Sequence, residues 1–176
     1  NPAEYNGIKL CKSGARPIGQ ESGLLWIKDQ IAFGLEEGFP IPNRPVGKES
    51  VRDLLPDYVS FLFSLFPKDA FSREFLGRPI RIAIDAGNGM GGHTAPAVMA
   101  KIHAVVDGIY FELDGTFPNH EANPIEAKNL VDLQNLVREK NADIGLAFDG
   151  DADRCFLIDQ NGDLVSPSAL TALIAE

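Results

Sequence analysis

Apolar residues along this chain follow two different spacings. Leu24, Leu25, Ile27, Ile31 and Ala32 recur at near-helical intervals and predict a helix over 21–33. A second helix is expected over 49–66, where Val59, Phe61, Leu62, Phe63, Leu65 and Phe66 cover more than one face, so much of it should be buried. From residue 80 onward, short apolar runs alternate with helical patterns. Strands are expected at 80–86, 109–113, 143–148 and 156–158. Between them lie helical stretches at 94–102 and 129–141, the latter with Leu130, Leu133, Leu136 and Val137 on one side. This alternation predicts an α/β fold, a mixed, mostly parallel sheet flanked by helices. Near the start, Ile8 and Leu10 alternate with Lys9 and Cys11, which predicts a short strand over 8–12 after a turn at Asn6-Gly7.

Proline and glycine mark the breaks. Residues 39–45 form a Pro-rich connector, 71–78 a link, and Pro17 ends the first strand. Pro56 marks a kink or a helix start. Asn161-Gly162 reads as a hairpin-like turn before Leu164-Val165, and Ser166-Pro167 opens a last helix. Gly87, Gly89 and Gly92 satisfy G-x-G-x-x-G between a strand and a helix. One reading is a dinucleotide fold, with 109–113 as its second strand and Glu112 or Asp114 meeting a ribose. The other is that the glycines let the turn close and the helix pack. The second is favoured, because the first leaves the acidic loop downstream unexplained.

Composition narrows the function classes. A chain of 176 residues with 44% hydrophobic content supports a real core. A net charge of −9 argues against a nucleic-acid partner. The longest apolar stretch, Tyr58 to Phe66, is too short to span a bilayer, so no membrane partner is expected. Cys11 and Cys155 lie far apart without a C-x-x-C, which suits reduced thiols in a cytoplasmic protein.

The chemistry concentrates at Asp149-Gly-Asp151-Ala-Asp153-Arg154, where the 143–148 strand ends. In a strand-like turn alternate side chains project to one side, so the three carboxylates can converge. Carboxylates that close raise each other's pKa unless a cation joins them. Oxygen-only ligation suits a hard ion, Mg²⁺ first, then Ca²⁺ or Mn²⁺. Arg154 places a guanidinium beside them, suited to a phosphate oxygen and able to serve as countercharge. An EF-hand is excluded, since its sixth and twelfth positions fall on Arg154 and Gln160. An aspartyl-nucleophile phosphatase using Asp149 and Asp151 stays open, although Asp153 stands where that pattern wants Thr. The bland reading is a solvated acidic turn. His120, in the polar loop 115–124, is expected to be a structural hydrogen-bonder more than a ligand or base.

Several segments in order resemble the α-D-phosphohexomutase family. The stretch 149–154 is similar to its metal loop D-G-D-x-D-R, 115–124 to the segment ahead of it, and 84–89 to the opening of its second domain. Asn1-Pro2 with Tyr5-Asn-Gly-Ile-Lys9 looks like the tail of its T-[AG]-S-H-N-P motif. The resemblance implies residues 1–72 as the end of a first domain, 73–158 as a second domain and 159–176 as the start of a third, with the remaining domains of the same chain as partners. It implies a mutase moving phosphate between the C1 and C6 hydroxyls of a hexose phosphate, mannose and also glucose, through a phosphoserine and a bisphosphate. Asp149, Asp151 and Asp153 would bind Mg²⁺, Arg154 would contact the transferring phosphoryl group, and Lys9 would position phosphate and assist proton transfer. The seryl motif is absent from these residues, so a fragment without turnover of its own is expected. Phosphoglucosamine mutase is the alternative within the family, and a noncatalytic sugar-phosphate binder a further one.

Overall fold

A computed structural model describes residues 7–39, 47–67, 70–71 and 77–175. The turn at Asn6-Gly7, most of the Pro-rich connector, part of the 71–78 link and the Asn1-Pro2 motif tail lie outside the described residues. The chain divides into two compact units, Asn1–Arg52 and Asp53–Glu176.

In the first unit the strand expected over 8–12 shortens to β1, Cys11–Lys12, paired antiparallel with β2, Arg16–Pro17. The turn between them places Gly14 and Ala15 at φ 74° and 54°, left-handed values that reverse the chain between the two strands. The helix expected from residue 21 starts later, as α1, Leu25–Glu37. A five-residue π turn, Gln20–Leu24, precedes it, and Gly23 at φ 150° interrupts the helical backbone there. Gly38 at φ 88° ends α1, past the expected Phe33.

The second unit opens with α2, Leu55–Ser64. It is shorter than expected because Asp53 Oδ1 accepts the Leu55 N–H at 3.0 Å and Pro56 occupies the first turn, a defined start rather than a kink. Then follow β3 (Ile80–Asp85), α3 (Gly91–Met99), β4 (Ala104–Ile109), α4 (Val131–Lys140), β5 (Ile144–Phe148), β6 (Cys155–Asp159) and α5 (Pro167–Ile174). The sheet order is β4-β3-β5-β6. The first two pairings are parallel and β5–β6 is antiparallel, so the sheet is mixed and mostly parallel, as the sequence predicts.

The second strand lies at 104–109 instead of 109–113. Register explains this: Ile80 pairs with Ala104 and Asp85 with Ile109, and Tyr110 then turns left-handed at φ 57°. The apolar residues that looked like a strand leave the sheet, and Phe111 packs back on the α3 side with Ile82, Ile84 and Ala95.

Alternation along β3 sets the two faces. Ile82 and Ile84 pack with Ala95 and Met99 of α3. Ala83 packs on the other side with Leu133 and Val137 of α4, together with Ala147 and Ile158. Asp85 shares the parity of Ala83 and is buried at 1% exposure. The α4 helix ends at Asn141, whose left-handed φ of 50° suits a helix stop. No helix among the described residues is long and apolar enough to cross a membrane.

Candidate functional site

Strands β3 and β5 are parallel neighbours, with Asp85 opposite Ala147. Their carboxyl ends therefore emerge side by side, the edge at which open α/β sheets carry ligands. The β3 end leads into the glycine loop, and the β5 end into the acidic loop.

The acidic loop brings together one carboxylate oxygen each from Asp149, Asp151 and Asp153, all within 4.8 Å of one another. The convergence arises from a turn, not from strand alternation. Ala152 sits at φ 57°, and its N–H donates to the Asp149 carbonyl at 3.1 Å. Asp149 is buried, while Asp151 and Asp153 are exposed. Arg154 folds onto the buried acid. Its backbone N–H donates to Asp149 Oδ1 at 3.1 Å and its Nε–H to Oδ2 at 2.7 Å. Asp153 lies farther from the same Nε, at 3.8 Å. The Arg154 side chain remains 48% exposed, so an incoming anion can reach it.

The donor set fits a hard divalent cation. All three side chains offer oxygen, and oxygens at adjacent corners of a Mg²⁺ octahedron lie about 3 Å apart. Closing from 4.8 Å requires rotation of the two exposed carboxylates, which nothing buries.

Two loops hold this turn from beneath. Met90 N–H donates to the Gly150 carbonyl at 2.9 Å. Gly89 packs so close to Gly150 that a Cβ on it would stand 2.7 Å from that carbonyl oxygen. On the other side, the Phe117 ring and Ala122 of the 115–124 loop face Gly150. Gly92 abuts the Phe111 backbone in the same manner. The glycine motif thus lets loops and helix approach, which is the packing reading. Asp114, the proposed ribose acid, instead accepts the Thr116 N–H and Oγ–H at 2.9 and 2.7 Å.

Asp85 and His120 connect these loops, and sequence reasoning missed Asp85. Its Oδ1 accepts the Gly87 N–H at 2.8 Å and its Oδ2 faces His120 Nε2 at 2.9 Å. His120 is the structural hydrogen-bonder expected, and its pKa is raised to about 8, chiefly by the Asp85 bond. Tyr110 stacks edge-on against His120 and donates its hydroxyl to Asp132 at 2.8 Å; burial first, then that bond, push its pKa up to about 12. The signal for Asp85 was present: a lone acid at the end of an apolar strand requires a partner. Lys9 is exposed in the first unit, ahead of β1, and the acidic loop belongs to the second.

A family model described as phosphoglucomutase/phosphomannomutase, alpha/beta/alpha domain II, matches residues 56–162, more than half of the chain. The chain belongs to the phosphoglucomutase/phosphomannomutase family. A Vibrio cholerae phosphomannomutase is 35% identical over all of this chain, and a Neisseria meningitidis phosphoglucomutase 34%. The chain spans 37% and 35% of those two proteins. A solved phosphoglucomutase/phosphomannomutase family protein from Burkholderia thailandensis superposes on 70% of the chain and 25% of its own, with 30% identity and a TM-score of 0.59. A Thermus thermophilus structure matches 99% of the chain and 39% of its own at a TM-score of 0.71; at 23% identity it shows the fold alone. Family membership replaces the dinucleotide and aspartyl-phosphatase readings.

Proposed function

We propose that this chain is part of a phosphohexomutase that interconverts hexose 6-phosphate and hexose 1-phosphate, with mannose and glucose phosphates as substrates. Relatives named for both sugars support that pair. The observation that carries the reading is the convergence of Asp149, Asp151 and Asp153 beside Arg154, at the sheet edge of a chain in this family.

In that reading the three aspartates hold Mg²⁺, which when bound offsets charge on phosphoryl oxygens. Arg154 keeps Nε on Asp149, which orients its fork so that the other guanidinium nitrogens can meet the transferring phosphoryl group. Lys9 contributes a second cation that positions phosphate and assists proton transfer at the sugar hydroxyl. The phosphoserine would come from a T-x-S-H segment of the whole enzyme, a motif these 176 residues do not contain.

The test is isothermal titration of Mg²⁺ into the chain and its Asp151→Asn variant, paired with ³¹P exchange between mannose 6-phosphate and 1-phosphate in the full-length enzyme. Saturable Mg²⁺ binding that the substitution weakens, together with exchange that Arg154→Ala slows by about 100-fold, is the expected result. Unchanged binding in the variant overturns the metal assignment. Sugar-phosphate binding without exchange leaves a noncatalytic binder.

A further inference from the structure

The two loops that hold Gly150 are tied to each other twice. Asn119 Nδ2 donates to Asn88 Oδ1 at 2.8 Å, a neutral bond. His120 Nε2 meets Asp85 Oδ2 at 2.9 Å, and this tie carries charge.

Both ring nitrogens of His120 face oxygen atoms. His120 Nδ1 stands 2.9 Å from the Glu121 carbonyl, which can only accept, so Nδ1 bears a hydrogen. Asp85 Oδ1 already takes the Gly87 N–H, and Nε2 meets the carboxylate Oδ2 as a donor when it too bears a hydrogen. The imidazolium form of His120 makes both bonds at once. The other groups facing it are Asp132 of α4, which adds a favourable charge, and the Tyr110 ring. A neutral imidazole has one hydrogen. It must then present a lone pair either to the carboxylate or to the carbonyl, and one of the two bonds is lost.

We infer that His120 and Asp85 form a proton-dependent latch that positions the acidic loop: while His120 is charged, the 115–124 loop is held to the glycine loop and Gly150 is gripped between them, and loss of the proton loosens that grip and weakens divalent-cation binding. The inference rests on the reading of 149–154 as the metal loop. His120 is a positioning residue here, acting through Asp85, Gly89 and Gly150.

Linkage makes the latch testable by sign. Direct repulsion between Mg²⁺ and an imidazolium would make the ion bind more tightly once His120 is neutral. The latch requires the opposite, and by reciprocity Mg²⁺ must raise the His120 pKa. The experiment titrates Mg²⁺ into the chain by calorimetry at pH 6.5 and 9.5, and follows the His120 ring by NMR with and without Mg²⁺. Affinity roughly five-fold or more weaker at pH 9.5 is expected, with a His120 pKa shifted upward by Mg²⁺. His120→Gln should bind weakly at both pH values and lose protection of the Met90 amide relative to the β5 amide of Leu146. Equal or tighter binding at pH 9.5, or a downward His120 shift, overturns the latch even if His120→Gln fails to fold. Asp151→Asn separates the two readings: if it abolishes binding while pH has no effect, the metal loop stands and the latch falls. If it changes nothing, both fall.

Discussion

Arg154 grips Asp149 with two donors, the backbone N–H on one carboxylate oxygen and the guanidinium Nε–H on the other. The acid is buried and the guanidinium is half in water. Removing the guanidinium leaves the backbone bond and lets water approach. Arg154→Ala is therefore expected to cost roughly 1 kcal/mol in urea denaturation, well below the range of about 3–5 kcal/mol for breaking a buried pair. A loss above that range's lower end would mean the pair is more deeply desolvated than its exposure indicates.

Gly89→Ala is the sharper perturbation. The added methyl would meet Gly150 backbone atoms at 2.7 and 2.8 Å, and backbone cannot rotate away as a side chain can. Destabilisation of about 1–3 kcal/mol is expected, visible as a lowered melting temperature, together with weakened Mg²⁺ binding. A variant as stable as the parent would show that the two loops can separate without cost.

Stability should fall with rising alkalinity. The His120 pKa moves from 6.5 to about 8 on folding. A raised folded-state value stabilises fully below the unfolded pKa and is lost as pH rises through the folded one. Chemical denaturation at pH 6 and at pH 9 should therefore differ by about 1–2 kcal/mol, the more stable form being at pH 6. His120→Gln should flatten this step; a step of equal size in the variant would assign it to another group.

The α4 face offers a control remote from the loops. Leu133 is fully buried between helix and sheet. Leu133→Ala should cost about 3–5 kcal/mol in the same denaturation assay. It should leave the step between pH 6 and pH 9 in place if the molecule still folds.

What the sequence disclosed follows from what repeats along it. Leu130, Leu133 and Val137 mark α4 by spacing alone, and the apolar runs at 80–85 and 144–148 mark the central strands. The clustering of Asp149, Asp151 and Asp153 was legible because carboxylates at alternate positions of so short a stretch cannot lie far apart. The position of β4 was not, since its end is set by a left-handed Tyr110, a residue type that gives no sign of that conformation. The Asp85–His120 tie joins residues 35 apart in sequence, and the register of β3 beside β4, with Asp85 opposite Ile109, brings the β3 end next to the chain that runs into the 115–124 loop. The 25–37 helix began late for a similarly local reason, the backbone reversal at Gly23.

The antiparallel pairing of β5 with β6 gives the acidic loop a different character from the crossovers elsewhere in the sheet. Phe148 and Cys155 pair directly across the ladder, so six residues leave one strand and return to its neighbour. Both ends of the loop are anchored to the core, where Ile158 is fully buried. Much of the conformational entropy of bringing three like charges together is therefore lost when the sheet forms, not when a ligand arrives. An arriving cation needs to order only the two exposed carboxylates.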